Sequence, residues 1–319
     1  MTDFTIIEAP SPLGLKPGGV EHLPDALLNA GLAWRLDATR YARLAVPPYS
    51  AERDPATGIL NAPRIRDFAV MLADVVGPVA KRGAFPIVLG GDCSILLGNL
   101  LALRRTGRRY GLLFLDGHAD FYQPEVSTTG EAADMDLALA TGRGPDIVAD
   151  IEGLRPLVHD EDVALLGQRD AEQARDYGSQ PLPRTIFACD LQAVRGIGVE
   201  KAARAAIAHL TRRELDGFWI HLDVDVLDDA IMPAVDYRIP DGLSWEELEI
   251  ILRAALRSGR AVGLDITIFN PKLDQDGRIA RALVESLGRA LAPSPDARLE
   301  LCAQRQRRMG LGLPAVRYA

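Results

Sequence analysis

Cysteine is scarce in this chain: three residues in 319, Cys93, Cys189 and Cys302, an odd number at wide spacing. That argues against a disulfide framework and fits a reducing cytoplasm. A basic surplus is also missing. Lys and Arg number 36 against 44 Asp and Glu, for a formal net charge of -8, so no excess positive charge exists to neutralise nucleic-acid phosphates. The Arg-rich pieces, Arg104-Arg105 and Arg305 to Arg308, are short and read as solvated helix faces or helix C-termini. No run of about 18 uncharged apolar residues occurs, which speaks against a helical membrane span. The opening Met1-Thr2-Asp3-Phe4 lacks the basic and apolar regions of a signal peptide. Low-complexity linkers and internal repeats are absent too.

What is present is ordinary for a globular protein: 48% hydrophobic and 25% charged residues, enough to bury a substantial core. Short apolar runs alternate with longer amphipathic stretches. Strand-like runs fall at Thr5 to Glu8, Pro86 to Leu89, Gly111 to Leu115, Val163 to Leu166, Thr185 to Ala188, Phe218 to Val226 and Ala261 to Ile268. Most are apolar on both faces, as strands of a covered parallel sheet are. Helices are expected over Ile65 to Ala80, Ser94 to Leu103, Val199 to Thr211, Ser244 to Ser258 and Arg278 to Ala292. Ser244 and Glu247 have capping-box spacing at the start of the fourth. This alternation predicts an α/β fold with a mostly parallel, doubly wound sheet, and one domain over residues 1–319. In such sheets ligands bind beyond the carboxyl ends of the strands.

Three strand ends carry chemistry: Gly90-Gly91-Asp92-Cys93-Ser94, Asp116-Gly117-His118-Ala119-Asp120 and His221-Leu222-Asp223-Val224-Asp225. Strand alternation would place Asp223 and Asp225 on one face, about 6.5 to 7 Å apart. Two like charges inside a core need a cation or a proton. Asp116, His118 and Asp120 alternate in the same way and offer oxygen, nitrogen and oxygen donors, a set suited to Mn²⁺ or Zn²⁺.

These motifs resemble those of the ureohydrolase family of arginases, agmatinases and formimidoylglutamases, which run Gly-Gly-Asp-His-Ser, Asp-Ala-His-x-Asp and Ser-Phe-Asp-x-Asp. Pro233, Ala234 and Gly242 match the longer signature after the last motif, and Ala9 to Glu21 is similar to the family's amino-terminal region. The resemblance spans roughly residues 5 to 290. It implies a single α/β/α domain and two divalent ions, Mn²⁺ first, with Zn²⁺ or Fe²⁺ admitted by Cys93. Asp116 and Asp223 would be shared, with Cys93 and Asp120 on one ion and His118 and Asp225 on the other. It further implies hydrolysis of a C–N bond in a small linear amidine or guanidino compound, with Asp120 and His118 as catalytic groups and Asp120 moving the proton to the leaving amine. Homo-oligomers, trimers or hexamers, are the family expectation.

The chain departs from the family pattern at four places. Cys93 stands where the family has a histidine ligand. Ala133 stands at the proton-shuttle histidine, leaving Glu131, Asp134 or Asp136 as substitutes or as helix caps. Ile268 occupies the position of the glutamate that grips a guanidinium. Tyr122 replaces an asparagine, and Glu172 sits near an acidic substrate contact. His221 is expected to support a metal-bound carboxylate. These departures leave a second reading, a non-catalytic member that serves as a metal-binding or assembly subunit.

Overall fold

Residues apolar on both faces need cover on both sides, and the chain provides it with helices. The computed structural model describes residues 2–291; Cys302 and Arg305 to Arg308 lie outside the described residues, as does the last residue of the Arg278 to Ala292 helix expectation. Eight strands form one sheet: β1 Phe4–Glu8, β2 Thr39–Arg43, β3 Phe85–Leu89, β4 Tyr110–Leu115, β5 Val163–Leu166, β6 Phe187–Cys189, β7 Gly217–Asp223 and β8 Ala261–Thr267. Their order is β2-β1-β3-β8-β7-β4-β5-β6, and each neighbouring pair is parallel.

The two faces bury different sets. Ile87, Leu89, Leu113, Leu115, Phe218, Ile220, Leu222, Leu264 and Ile266 pack with helices Val199–Leu210, Trp245–Arg257 and Arg278–Leu291. Val88, Leu112, Phe114, Leu165 and Trp219 pack on the other side with helices Ala62–Lys81 and Ile95–Arg104. Each such side chain contributes roughly 1.5 to 3 kcal/mol on burial. The result is a three-layer α/β/α arrangement. Among the described residues no helix is long and apolar enough to cross a membrane.

Consecutive strands β3 and β4 are separated in the sheet by β8 and β7. The winding direction reverses there and opens a crevice at the carboxyl ends of four adjacent strands. All three sequence motifs arrive at that crevice.

Strand β2 escaped sequence reading because Thr39–Arg43 is an edge strand with no buried residue. It binds the sheet partly through charge: Arg40 and Arg43 donate to the buried Glu8 carboxylate of β1 at 2.7 and 2.8 Å. The capping box is present, with the Ser244 hydroxyl accepting from the Glu247 N–H and the Glu247 carboxylate accepting from the Ser244 N–H.

Candidate metal centre

The β3 end turns tightly. A side chain on Gly91 would come within 2.0 Å of the Ser11 carbonyl oxygen, so only glycine permits that approach. The buried Asp92 fixes the turn by accepting from the Ser94 N–H at 2.8 Å and the Ser11 hydroxyl at 3.0 Å. Cys93 is thereby held inward, its Sγ 2.9 Å from Asp223 Oδ2 and 3.3 Å from Thr267 Oγ1.

Asp116 follows the last residue of β4, and the chain then curls instead of continuing as a strand. The His118 N–H donates to Asp116 Oδ1 at 2.6 Å, and Asp120 has a left-handed backbone, φ 45°, which aspartate tolerates. Strand alternation is likewise not what unites Asp223 and Asp225. Asp223 ends β7, and Asp225 lies in a helical turn, Val224–Val226, capped by the Asp223 carboxylate accepting from the Asp225 N–H at 2.7 Å. Gly117 N–H donates to Asp225 Oδ1 at 2.9 Å, and His118 Nδ1 lies 2.9 Å from Asp225 Oδ2. Arg169, unmarked in the sequence reading, pins this turn through the Asp225 carbonyl oxygen at 2.8 Å.

Potential ligand atoms converge in three overlapping groups, each within 4.8 Å internally: Cys93, Asp116 and His221; Asp116, His118 and Asp120; Asp116, Asp223 and Asp225. All six predicted ligands therefore meet in one place, with Asp116 common to every group. Burial, then repulsion from Asp225, pushes the Asp116 carboxyl up to about 6. Burial and neighbouring carboxylates also raise Asp120 and Asp223 well above the usual range. The Cys93 thiol is pushed up by burial and by Asp223. Burial disfavours a charged His118, but Asp225 and Asp116 overcome it and raise its pKa. Asp116 Oδ2 has no hydrogen-bond partner. A buried cluster of carboxylates with an orphaned oxygen is costly without added positive charge, so these residues fit divalent ions.

A cleft of about 320 Å³ opens onto the cluster, lined by His118, Asp120, Tyr122, Glu131, Asp134, Asp223, Asp225, Tyr237, Arg238 and Ile268, among others. Glu131 accepts from the Tyr237 hydroxyl at 2.5 Å. Asp134 accepts from the Ser127 hydroxyl at 2.6 Å, while its Oδ1 has no partner. Ile268 follows β8 with φ 71°, a strained conformation for a β-branched residue. Thr267 Oγ1 lies 3.3 Å from Cys93 Sγ, and Ile268 lines the cleft. Glu172 does not join the site: it is exposed on helix Ala171–Asp176, and the neighbouring Gln173 lines the cleft. Asp265 was also missed as a site residue; its signal was a carboxylate on an otherwise apolar strand.

The family model for the arginase family matches residues 2–292. Similar relatives include an arginase of Staphylococcus aureus (strain COL), 29% identical over 291 residues, covering 89% of this chain and 95% of the relative. An arginase-1 of Sus scrofa is 29% identical, with 90% of each chain covered. The solved arginase of Bacillus caldovelox superposes with a TM-score of 0.82 at 27% identity, covering 92% of this chain and 100% of that one. With its three motifs gathered at one crevice of the matching fold, this chain belongs to the arginase family.

Proposed function

We propose that this chain is a dinuclear-metal hydrolase that cleaves a C–N bond of a linear amidine or guanidino compound. The observation that carries the reading is the convergence of Cys93, Asp116, His118, Asp120, Asp223 and Asp225 at the mouth of a cleft. Asp116 and Asp223 would be shared between two ions, with Cys93 and Asp120 on one and His118 and Asp225 on the other. When bound, the ions would acidify a water and stabilise charge developing on the substrate. Mn²⁺ is the family's expected metal, and the Cys93 thiol admits Zn²⁺ or Fe²⁺.

The chain's own groups handle the proton. Asp120 lines the cleft, where its carboxylate would take a proton from the attacking water and return it to the leaving amine, as the family resemblance implies. Of the three acids considered in place of the missing shuttle histidine, Asp136 is fully buried and Glu131 is tied to Tyr237. Asp134 lines the cleft, keeps Oδ1 free and is pushed by burial up to about 6. It is the best placed to relay a proton to solvent.

Substrate choice follows from Ile268. An apolar side chain at that wall gives a guanidinium no counter-charge, and a desolvated cation there would lose several kcal/mol of compensation. The preferred substrate is therefore a less basic amidine or guanidine, such as a hydroxylated, acylated or formimino form that enters uncharged. Steady-state hydrolysis across such a panel, with Mn²⁺, Zn²⁺ and Fe²⁺ each supplied, tests this. Efficient turnover of free arginine, with kcat/KM at or above about 10⁴ M⁻¹s⁻¹, would contradict the substrate assignment.

A further inference from the structure

We infer that His221 is itself a metal ligand, its Nε2 joining Cys93 and Asp116 around the ion on the Cys93 side. This rests on the two-ion reading above and gives that ion a sulfur, nitrogen and oxygen donor set.

The ring is held for the task on every side but one. His221 is fully buried on β7, in register with Phe114 of β4 and Asp265 of β8. Its ring stacks on Phe114 at a centroid distance of 4.7 Å and an interplanar angle of 24°. Nδ1 meets Asp265 Oδ2 at 2.5 Å. Asp265 Oδ1 is occupied by the Asn99 side-chain amide at 3.0 Å and by the Trp219 indole N–H. Asp265 thus accepts from three buried donors and orients the imidazole with its Nδ1 proton toward the carboxylate. That leaves Nε2 with a lone pair, the arrangement found where a carboxylate orients a metal-binding histidine.

Nε2 has no hydrogen-bond partner. A buried ring nitrogen left so is costly. A ring nitrogen of His221 and donor atoms of Cys93 and Asp116 all lie within 4.8 Å of one another; with Nδ1 taken by Asp265, Nε2 is the one left to serve, and it lies 4.0 Å from Asp136 Oδ2. Asp116 Oδ2 is also unpartnered, and the Asp136 oxygens find no partner beyond the Asp120 carboxyl. An ion with bonds of about 2.0 to 2.3 Å could bridge donors at such separations after small shifts. Cys93 stands where the resemblance places a histidine, and His221 supplies an imidazole two strands away across the sheet. Thiolate plus imidazole selects Zn²⁺, Fe²⁺, Co²⁺ or Ni²⁺ over Mn²⁺ at this position.

The test is cobalt and zinc loading of the full chain. Wild type should bind two ions, show a thiolate-to-cobalt charge-transfer band, and give two paramagnetically shifted, exchangeable imidazole N–H signals, from His118 and His221. His221→Asn should abolish the band and one N–H signal, and weaken zinc at one of the two sites by at least about a hundredfold, beyond the 10- to 100-fold typical of an orienting residue. Asp265→Asn should weaken it within that smaller range. The two N–H signals of wild type need no variant, so a misfolded His221→Asn leaves the test intact. Two bound ions with a single shifted N–H signal would make His221 a structural residue and overturn the inference while sparing the two-ion reading. A wild type that binds no ion would overturn both.

Discussion

At the scale of single residues, Ile268 and Cys93 carry the chain's departures from its family. Ile268→Glu would set a carboxylate at the cleft wall, where the present side chain gives a cation nothing to pair with. Its kcat/KM for a cationic guanidine such as agmatine should rise at least about tenfold, equivalent to roughly 1.4 kcal/mol, with turnover of an uncharged amidine falling. Unchanged relative rates would remove Ile268 from the specificity argument. Cys93 is almost completely buried, and a metal-bound thiolate is shielded further. Thiol reagents should therefore label it faster after chelation than before; equal rates in the two forms would count against ligation. Both residues were legible in sequence because each breaks a recognisable motif. His221 was legible as a group beside the metal-binding carboxylates, but its contacts were not, since its neighbours Phe114 and Asp265 come from other strands and no local pattern announces them.

At the scale of elements, helix Trp245–Arg257 shows how local signals fix a boundary. Its Ser244 cap and Glu247 close two otherwise unpaired backbone N–H groups. Ser244→Ala should cost about 1 kcal/mol of stability, seen as a lower denaturant midpoint with an unchanged slope, and leave metal binding intact. A midpoint equal to wild type would mean the cap contributes nothing here. Strands β3, β4, β5, β7 and β8 were readable because they are apolar on both faces. Strand β2 was not, because its hold on the sheet includes the paired charges of Arg40, Arg43 and Glu8, and a polar exposed stretch gives no periodicity to read. Two of the three motif-bearing strand ends were expected at the crevice but take a different shape there. Asp223 and Asp225 meet through a capped turn and Asp116, His118 and Asp120 through a curled loop, geometries set by side-chain-to-backbone hydrogen bonds that alternation rules omit.

At the scale of the whole molecule, the cost of gathering acids in one buried crevice should appear in stability. A carboxyl whose folded pKa is raised binds its proton more tightly in the native chain than in the unfolded one. For Asp116 that stabilisation is complete below the ordinary value of 3.8 and is lost as pH rises through about 6. The metal-free protein should therefore lose ground to the metal-loaded protein between about pH 4 and pH 7, read as a widening gap between their melting temperatures. A constant gap across that range would show that the acid cluster is not strained without ions. The claim on which everything else depends is that Asp116 and Asp223 are shared by two divalent ions. Elemental analysis of wild type and Asp223→Ala, purified and loaded in parallel, tests it most directly. Close to two ions per chain in wild type and loss of most of both in the variant are expected; a full load in Asp223→Ala would contradict the shared centre.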